Sequence, residues 1–251
     1  MTAFVTGAAQ GLGRAICVAL AEGGHDVIAC DLASEDMSET VAAVEGTGRK
    51  IVTGVADVRE QAQLDALVAD GVAAFGGLDV VVANAGISNW SRFWEMPDEQ
   101  WQRLIDINLT GVWRTFKATA PVLIEQGRGG SMVAISSVAG IKSLPGQAHY
   151  AAAKHGVVGL VKAAAIELGP FGIRVNSVHP WGINTRLAGA DEGVWKMLEA
   201  NPTYAGSFGA ILDPPISEPH EVAAAVAWLA SPASSSVTGI QLPVDKGATT
   251  V

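Results

Sequence analysis

Charged residues are scarce in this chain of 251 residues, and its positive charge is not clustered. Asp, Glu, Lys and Arg make up 16% of the residues, hydrophobic residues make up 49%, and the net charge is −9 at pH 7. A net negative chain without a Lys/Arg cluster does not suit a phosphate backbone, so we expect no nucleic-acid partner. No uninterrupted apolar run approaches the length that crosses a bilayer, so we expect no membrane span.

The sequence also lacks the patterns typical of secretion, metal binding and several domains. It has two cysteines; Cys17 falls within a helical pattern and Cys30 ends a strand pattern, so we expect two buried free thiols. No basic stretch precedes the first strand pattern, so we expect a cytoplasmic protein. The five histidines show no metal-ligand spacing and no Pro/Gly/Ser-rich linker interrupts the chain. We therefore expect no metal and one domain over residues 1–251.

Short apolar runs alternate with longer helical patterns, which predicts an α/β fold with a doubly wound parallel sheet. Strands are predicted at residues 3–6, 27–30, 50–55, 79–83, 132–135, 173–178 and 240–244. Helices are predicted at residues 14–22, 60–75, 98–126, 151–168 and 218–230. Helices 98–126 and 151–168 are apolar around most of their circumference, which predicts burial on two sides and therefore a homo-oligomer.

A Gly-rich turn between the first strand and the first helix predicts a dinucleotide site. Gly7, Gly11 and Gly13 have the spacing G-x-x-x-G-x-G, and such a turn lets backbone N–H groups approach a pyrophosphate at the positive end of a helix. Asp31 ends the second strand, where a carboxylate accepts hydrogen bonds from an adenosine ribose and repels a 2′-phosphate, so NAD(H) is predicted over NADP(H). The alternative is that Asp31 is a turn or cap residue before Leu32.

Three further polar residues have both a functional and a structural interpretation. Asp57 ends the third strand, where it either bonds the exocyclic amine of adenine, caps the following helix, or does both. Asn84 starts an Asn-Ala-Gly sequence after the fourth strand, which allows close approach to a cofactor or to neighbouring strands. Asn108 lies in the middle of a predicted helix, where it is either a hydrogen-bonded kink or a polar anchor that reaches the active site.

Tyr150 and Lys154 are the strongest candidates for chemistry. They lie four residues apart at the start of an Ala-rich helix and therefore share one helical face. A fixed ammonium beside a phenol favours the phenolate and lowers its pKa from near 10 toward neutrality, as a general acid/base requires. Ser137 follows the fifth strand at the sheet edge where α/β proteins bind ligands. The alternative is a surface Tyr and Lys; His149 and His155, beside them, are expected to be cap or surface residues.

Together these motifs resemble those of the classical short-chain dehydrogenase/reductases along essentially the whole chain. The matching residues are Thr6-Gly7-x3-Gly11-x-Gly13, Asp57-Val58, Asn84-Ala85-Gly86, Asn108, Ser137, Tyr150-x3-Lys154 and Pro180 to Thr185. The resemblance implies a single-domain Rossmann fold whose seven-stranded parallel sheet has helices on both faces. It also implies a cofactor-binding half at residues 1–90, a catalytic half at residues 91–251, and commonly a homotetramer built on the two long apolar helices, with a dimer as the alternative.

The resemblance implies a role for each catalytic residue. Ser137 polarises the carbonyl, Tyr150 passes the proton, Lys154 lowers the pKa of the tyrosine and holds the nicotinamide ribose, and Asn108 anchors a water that relays protons. The implied cofactor contacts are Gly7, Gln10, Gly11, Leu12, Gly13, Asp31, Leu32, Asp57, Val58, Asn84, Ala85, Gly86, Tyr150, Lys154, Pro180, Gly182, Ile183 and Thr185.

Departures from the usual family pattern favour an apolar substrate. Trp181 stands between Pro180 and Gly182, where the family usually has Pro-Gly, which puts an indole beside the nicotinamide. This loop and the ending at residues 237–245 look like the carveol-dehydrogenase-like branch, which implies a cyclic or aromatic, terpenoid-like secondary alcohol or its ketone. The predicted substrate pocket comprises Ser88, Asn89, Trp90, Leu144, Gln147, Trp181 and Trp195, with residues 186–219 as a lid.

Two other functions are weighed against this one. A 3-oxoacyl carrier-protein or acyl-CoA reductase is disfavoured by Asp31 and by a pocket poor in Lys and Arg. A dinucleotide-binding regulatory protein without chemistry would have a broken Ser137, Tyr150 and Lys154 set, and all three residues are present. Members of the carveol-dehydrogenase-like branch often carry an insertion after the second strand; here residues 31–50 are a short connection, so we do not expect permanent cofactor retention.

Overall fold

The strands of this protein form one seven-stranded parallel sheet, in a computed structural model that describes residues 1–185 and 192–251. In chain order they are β1 (Thr2–Thr6), β2 (Asp26–Asp31), β3 (Ile51–Val55), β4 (Val80–Ala83), β5 (Gly130–Ile135), β6 (Ile173–Pro180) and β7 (Gln241–Val244). The strand order is β3-β2-β1-β4-β5-β6-β7. The chain reverses direction across the sheet between β1 and β4, which opens a crevice at the carboxyl edge there. The predicted strands and fold class are confirmed.

Helices cover both faces of the sheet. They are α1 (Gly11–Glu22), α2 (Ser38–Glu45), α3 (Gln61–Phe75), α4 (Asp98–Ile105), α5 (Gly111–Gln126), α6 (Ala148–Leu168), α7 (Glu192–Ala200) and α8 (Pro219–Ala230). The predicted helix at 98–126 consists of α4, a π-helical turn (Asp106–Thr110) and α5. Helices α2 and α7 were not predicted because two turns give too few residues for a clear apolar period. The start of the predicted lid, residues 186–191, lies outside the described residues.

Each face of the sheet has its own hydrophobic core because alternate side chains of a strand point to opposite faces. Phe4 and Ile28 belong to the core covered by α3, α5 and α6, whereas Val5 and Val27 belong to the core covered by α1 and α8. Strands buried on both sides must be apolar throughout, which explains the continuous apolar runs in the sequence. The edge free for function is therefore the one where the strands end.

Both cysteines are buried and free, as predicted. Burial raises the pKa of the Cys30 thiol to about 12, so it stays protonated and unreactive at neutral pH. Across residues 1–185 and 192–251, no helix combines the length and the apolar character needed to cross a membrane. Over the same residues, no three His, Cys, Asp or Glu side chains are grouped as a metal ion would require.

Candidate active site

The Gly-rich turn after β1 has a backbone that side chains would disrupt. Gly7 has φ +66°, in the left-handed region, and a Cβ added at Gly13 would lie 1.9 Å from the carbonyl oxygen of Gly7. A Cβ at Gly11 would lie 3.1 Å from Cγ2 of Thr185, which places the loop after β6 against this turn. The turn leads directly into α1, so its N–H groups are placed as a pyrophosphate site requires.

Asn84 ties the end of β4 to the Gly-rich turn. Its Nδ2 donates to the carbonyl oxygens of Thr6 at 3.0 Å and of Gly7 at 2.9 Å. In return, Oγ1 of Thr6 accepts hydrogen bonds from the backbone N–H groups of Asn84 and Ala85 at 3.1 and 3.2 Å. These contacts support the structural interpretation of Asn84, which fixes the shape of the turn from the neighbouring strand.

Asp31 ties the end of β2 to the same turn. One of its carboxylate oxygens accepts from the N–H of Ala9 at 2.9 Å and the other from the N–H of Leu32 at 2.9 Å. The Leu32 bond is the predicted turn role. Each carboxylate oxygen keeps a second lone pair that could accept from a ribose hydroxyl, so the cofactor role stays a prediction. Gln10, also in the turn, donates from Nε2 to Glu35 at 3.0 Å.

The Asp57 side chain does not cap α3, so that prediction was wrong. The N-cap of α3 is Glu60, and the Asp57 carboxylate instead accepts from the guanidinium of Arg59 at 2.6 Å. This hydrogen bond lowers the pKa of Asp57. Val58 is buried, and a Cβ added at Gly111 would lie 2.7 Å from its Cγ2. The role of Asp57 at the adenine stays a prediction.

Ser137, Tyr150 and Lys154 meet at the carboxyl end of β5. Ser137 caps the 3₁₀ turn after β5, and its Oγ accepts from the N–H of Ala139 at 3.1 Å. The side chain of Ser137 lies close enough to the Tyr150 hydroxyl to lower its pKa. Nζ of Lys154 donates to the carbonyl oxygen of Ile135 at 2.8 Å and lies 5.6 Å from the centroid of the Tyr150 ring. The structure thus brings together the three residues that the sequence singled out.

The Lys154 ammonium was predicted to lower the pKa of Tyr150, and this prediction was wrong. Burial raises the pKa of Tyr150, and the side chain of Ser137 opposes this rise without cancelling it. Burial also lowers the pKa of Lys154 to about 8. Both shifts have one cause: a dry environment disfavours the charged form of each group, and a four-residue spacing in the sequence does not reveal how dry the site is.

Asn108 anchors the loop that follows β4, from within the π-helical turn. Its Oδ1 accepts from the N–H of Ile87 at 2.8 Å, and its Nδ2 donates to the carbonyl oxygen of Ile87 at 2.7 Å. The side chain is fully buried. A Cβ added at Gly86 would lie 3.1 Å from its Oδ1, which explains the small residue there. The helix irregularity is confirmed, because Asn108 lies in the π-helical turn; its role as a polar anchor and water relay in the active site stays a prediction.

His179, which the sequence analysis gave no role, holds the backbone of Ser137. Its Nδ1 donates to the carbonyl oxygen of Ser137 at 2.7 Å, and its Nε2 lies 2.9 Å from Oγ of Ser177. The side chain is fully buried, and burial lowers its pKa to about 4, so the ring is neutral at pH 7. No local motif marks it; only the pairing of β5 with β6 shows that the end of β6 reaches Ser137.

An aromatic cluster formed by Trp90, Trp181 and Phe208 lies on the other side of the site. The ring centroid of Phe208 is 5.9 Å from that of Trp90 and 6.4 Å from that of Trp181. Phe208 lies within the predicted lid. Trp195, in contrast, is 68% exposed on α7, so the structure does not bring it to the cluster and its pocket role stays a prediction.

Lys142 lies beside this cluster, although the sequence predicted a substrate pocket poor in Lys and Arg. Nζ of Lys142 is 5.5 Å from the ring centroid of Trp181 and donates to the carbonyl oxygens of Ala248 and Val251. The ammonium is thus partly engaged by the indole and by the backbone. Lys142 was not predicted here because it lies 39 positions before Trp181 in the sequence.

Backbone hydrogen bonds fix the loop that carries Trp181. The N–H of Ser217 donates to the carbonyl oxygen of Gly182 at 2.8 Å, and Ile183 and Ser217 form an isolated parallel bridge. Within the predicted pocket, Nε2 of Gln147 donates to Oγ of Ser88 at 3.1 Å. Leu144 accepts from the N–H of Gln147 at 3.3 Å.

His149 is fully buried, so the prediction of a cap or surface position was wrong for this residue. Its neighbours in the fold are Asn89 and Gln100, which lie on two other segments of the chain. Sequence periodicity could not show this because α6 has small residues on most of its surface, and the face that packs inward is set by α4.

Comparisons with known proteins agree with this geometry. The family described as "Enoyl-(Acyl carrier protein) reductase" matches residues 7–249. An uncharacterised NAD-dependent oxidoreductase of Mycobacterium tuberculosis is 48% identical, over 98% of this chain and 94% of its own length. The (−)-trans-carveol dehydrogenase of Rhodococcus erythropolis is 40% identical, over 98% of this chain and 96% of its own.

A solved structure has nearly the same fold. The crystal structure of a short-chain dehydrogenase from Mycobacterium paratuberculosis bound to NAD superposes with a TM-score of 0.95 at 44% identity, and the match covers 100% of this chain and 98% of the other. This chain therefore belongs to the short-chain dehydrogenase/reductase family of oxidoreductases.

Proposed function

We propose that this NAD-dependent oxidoreductase interconverts an apolar, cyclic or aromatic secondary alcohol and its ketone. The observation that carries the proposal is the meeting of Ser137, Tyr150 and Lys154 at the sheet edge that also holds the Gly-rich turn. A proton-transfer group and a dinucleotide cradle at one edge are the two parts that hydride transfer to or from a carbinol carbon needs.

The residues at the β1–α1 turn fit a dinucleotide. The turn has a left-handed glycine, no room for a Cβ at Gly13, and the carboxylate of Asp31 beside it. Asp31 favours a free 2′-hydroxyl over a 2′-phosphate, which supports NAD over NADP. The nicotinamide ring supplies the hydride acceptor or donor when the cofactor is bound.

The chain's own residues handle the proton and the oxygen. Tyr150 takes the hydroxyl proton during alcohol oxidation and returns it during ketone reduction. Ser137, whose side chain lies beside that of Tyr150, donates to the substrate oxygen, where negative charge develops. Because burial raises the pKa of Tyr150, the phenolate needs a nearby positive charge, and Lys154 supplies one when protonated. We therefore expect the rate of alcohol oxidation to rise with pH until Lys154, whose pKa is about 8, loses its proton.

The aromatic cluster supports an apolar ring-shaped substrate. Trp90, Trp181 and Phe208 offer flat apolar surfaces that come from three separate segments. The Rhodococcus relative is named for carveol, a cyclic terpene alcohol, and is similar to this chain over nearly its whole length. We infer that residues 1–90 mainly bind the cofactor, that residues 91–251 carry the catalytic groups, and that the predicted lid at 186–219 covers the substrate.

The assembly we propose is a homotetramer in the cytoplasm, with a dimer as the alternative. Three large apolar side chains on helices α4, α5 and α6 are solvent-exposed in the single chain. They are Trp101 at 40%, Trp113 at 45% and Ile166 at 78%. A second copy of the same chain would cover them. Light scattering coupled to gel filtration measures the mass, and a monomer at micromolar concentration would contradict this part of the proposal.

The test of the function is a panel of initial rates. NAD⁺ or NADP⁺ is supplied at mildly alkaline pH with cyclohexanol, menthol, carveol, 1-phenylethanol and a steroid secondary alcohol. We expect reduction of NAD⁺ with several cyclic or aryl alcohols and little with NADP⁺. Acetoacetyl-CoA with NADPH tests the 3-oxoacyl reductase alternative, and saturable NADH binding without any turnover would indicate a regulatory protein.

A further inference from the structure

We propose that His149 is a positioning residue that fixes Trp90 relative to Tyr150 and thereby determines which alcohols the site accepts. This inference rests on the proposed function for its substrates, but the placement of Trp90 can be tested without turnover. His149 directly precedes Tyr150 in α6, and its ring is fully buried. The imidazole thus connects the catalytic helix to the segment that carries Trp90.

The segment that carries Trp90 is tied to the start of α6 on both sides of the indole. Before Trp90, Oγ of Ser88 accepts from Nε2 of Gln147 at 3.1 Å. After it, the N–H of Ser91 donates to the carbonyl oxygen of Gly146 at 3.0 Å. Gln147 is itself buried, and the other three residues of these contacts are half-buried.

His149 provides a third contact, in the middle of this segment, from a fully buried ring. Its Nε2 is hydrogen-bonded to Oδ1 of Asn89, the residue immediately before Trp90. Nε2 of Gln100, on α4, donates to the same oxygen at 3.0 Å. Asn89 is thus held by two helices at once, and the position of Trp90 depends on both.

The surroundings of the ring define its tautomer. Nε2 of His149 lies 3.2 Å from Nε2 of Gln100 and closer than that to Oδ1 of Asn89, an acceptor, so we place the ring proton on Nε2, where it is donated to Asn89. Nδ1 is then an unprotonated lone pair, and it has no hydrogen-bond partner in the part of the chain that the structure describes. The opposite tautomer would bury an N–H without an acceptor and set two lone pairs against each other, which is costly in a dry site. Burial lowers the pKa of the ring, which keeps it in this neutral donor form.

Trp90 transmits this arrangement to the substrate side. Its ring centroid is 5.9 Å from that of Phe208, in the predicted lid. A Cβ added at Gly146 would lie 3.2 Å from Cε3 of Trp90, so the indole packs closely over the turn that leads into α6. If the contact between Asn89 and His149 is lost, the indole gains freedom at the surface where a bulky ring would bind, whereas the Gly-rich turn is untouched.

The test compares His149→Leu, which removes the donor, with His149→Gln, whose Nε2 can occupy a similar position and donate. The probes are menthol as a bulky cyclic alcohol and cyclohexanol as a small one, each with NAD⁺. We expect His149→Leu to lower the ratio of kcat/KM for menthol to that for cyclohexanol at least about fivefold, and to leave the KM for NAD⁺ within about twofold. His149→Gln should restore most of the ratio. His155→Gln, on the exposed face of the same helix, is the matched control.

A spectroscopic measurement reports on Trp90 without any turnover. In protein labelled with 5-fluorotryptophan, the ¹⁹F resonance of Trp90 is assigned from its loss in Trp90→Phe. His149→Leu should shift or broaden this resonance, while that of Trp228 on α8 stays in place. Failure of the wild-type protein to oxidise any alcohol would contradict the proposed function, and this spectrum would still decide whether His149 positions Trp90.

Three results would overturn the inference. The first is an unchanged Trp90 resonance in His149→Leu, and the second is an unchanged menthol to cyclohexanol ratio in a wild-type-active enzyme. The third is a loss in His149→Gln as large as in His149→Leu, because that would show a need for the ring volume and not for the donor. If His149→Leu does not fold, Asn89→Ala removes the same hydrogen bond from the other partner, and the same criteria apply.

Discussion

The Gly-rich side and the aromatic side of the active site are held together by different kinds of contact. On the Gly-rich side, Asn84 and Asp31 bond to backbone groups of the turn, and their partners have a fixed geometry. On the aromatic side, Trp90, Trp181 and Phe208 meet through ring contacts that allow several arrangements. The comparison indicates that the cofactor side tolerates almost no change of residue type, whereas the substrate side can change shape while the fold is kept.

Removing the hydroxyl of Tyr150, the predicted proton-transfer residue, should have the largest effect. We expect Tyr150→Phe to lower kcat about 1000-fold, because the phenol is the group next to Ser137 that can exchange a proton with the substrate oxygen. NADH binding, measured by fluorescence titration, should be retained because the Gly-rich turn is unaffected. A variant with near-normal turnover would refute the assigned proton transfer.

A methyl group at Gly13 tests the rigidity of the cofactor side. The added Cβ would lie 1.9 Å from the carbonyl oxygen of Gly7, so Gly13→Ala should lower the free energy of unfolding by about 3 kcal/mol and abolish NADH binding. The control is Gly159→Ala on α6, where an added Cβ meets nothing within 4 Å. That variant should gain about 0.5 to 1 kcal/mol from the better helix propensity of Ala. Equal effects in urea unfolding would contradict the tight packing of the turn.

The buried imidazole of His179, which is hydrogen-bonded to Ser137, should make the stability of the protein depend on pH. Its pKa of about 4 in the folded protein lies below the value near 6.5 of an unfolded chain, so the unfolded state binds the proton more tightly. The neutral ring therefore stabilises the folded state fully above pH 6.5. As the pH falls toward 4, the free energy of unfolding decreases by up to about 3 kcal/mol. His179→Asn keeps a donor for Ser137 but does not titrate.

Urea unfolding at pH 7 and at pH 4.5 measures this effect. The loss of stability between the two pH values should be smaller in His179→Asn than in the wild-type protein by about 2 kcal/mol. The control is Ser235→Asn, an exposed substitution that removes no titrating group and should leave the difference unchanged. An identical pH dependence in wild type and His179→Asn would show that His179 is not the titrating group.

The smallest expected effect concerns the choice of cofactor. Asp31→Ala should reduce the preference for NAD⁺ over NADP⁺ about tenfold in kcat/KM, because the carboxylate that repels a 2′-phosphate is gone. The variant also loses the bond to the N–H of Ala9, so some weakening of both cofactors is expected. Asp36→Asn, on an exposed turn, controls for the change in net charge. Unchanged selectivity would remove Asp31 from the cofactor site.

The sequence was informative where chemistry requires a fixed residue type at a fixed spacing. The Gly-rich turn and the pair Tyr150 and Lys154 could be predicted because a left-handed backbone needs glycine and because residues four apart share a helical face. The strands could be predicted because a parallel sheet covered on both faces needs continuous apolar runs. Helix α2 was missed because eight residues are too few for periodicity to be evident.

The sequence was uninformative where the environment of a side chain depends on distant segments. His149 and His179 carry no local mark of burial, yet both are fully buried next to the catalytic residues. The predicted direction of the Tyr150 pKa shift was wrong for the same reason. The burial that raises this pKa comes from elements far apart in the chain. Asp57 was predicted to cap the next helix but bonds to Arg59, because two partners lie near it and the sequence does not show which one it contacts.

By itself, the sequence determined the doubly wound sheet and the family, and it predicted the proton-transfer residues, because each follows from local periodicity or from a spaced motif. Only the tertiary structure decided which polar groups are buried, which partners they bond, and how Trp90, Trp181 and Phe208 come together. The physical reason is that desolvation and side-chain packing depend on every neighbour in space, and most of those neighbours are remote in the chain.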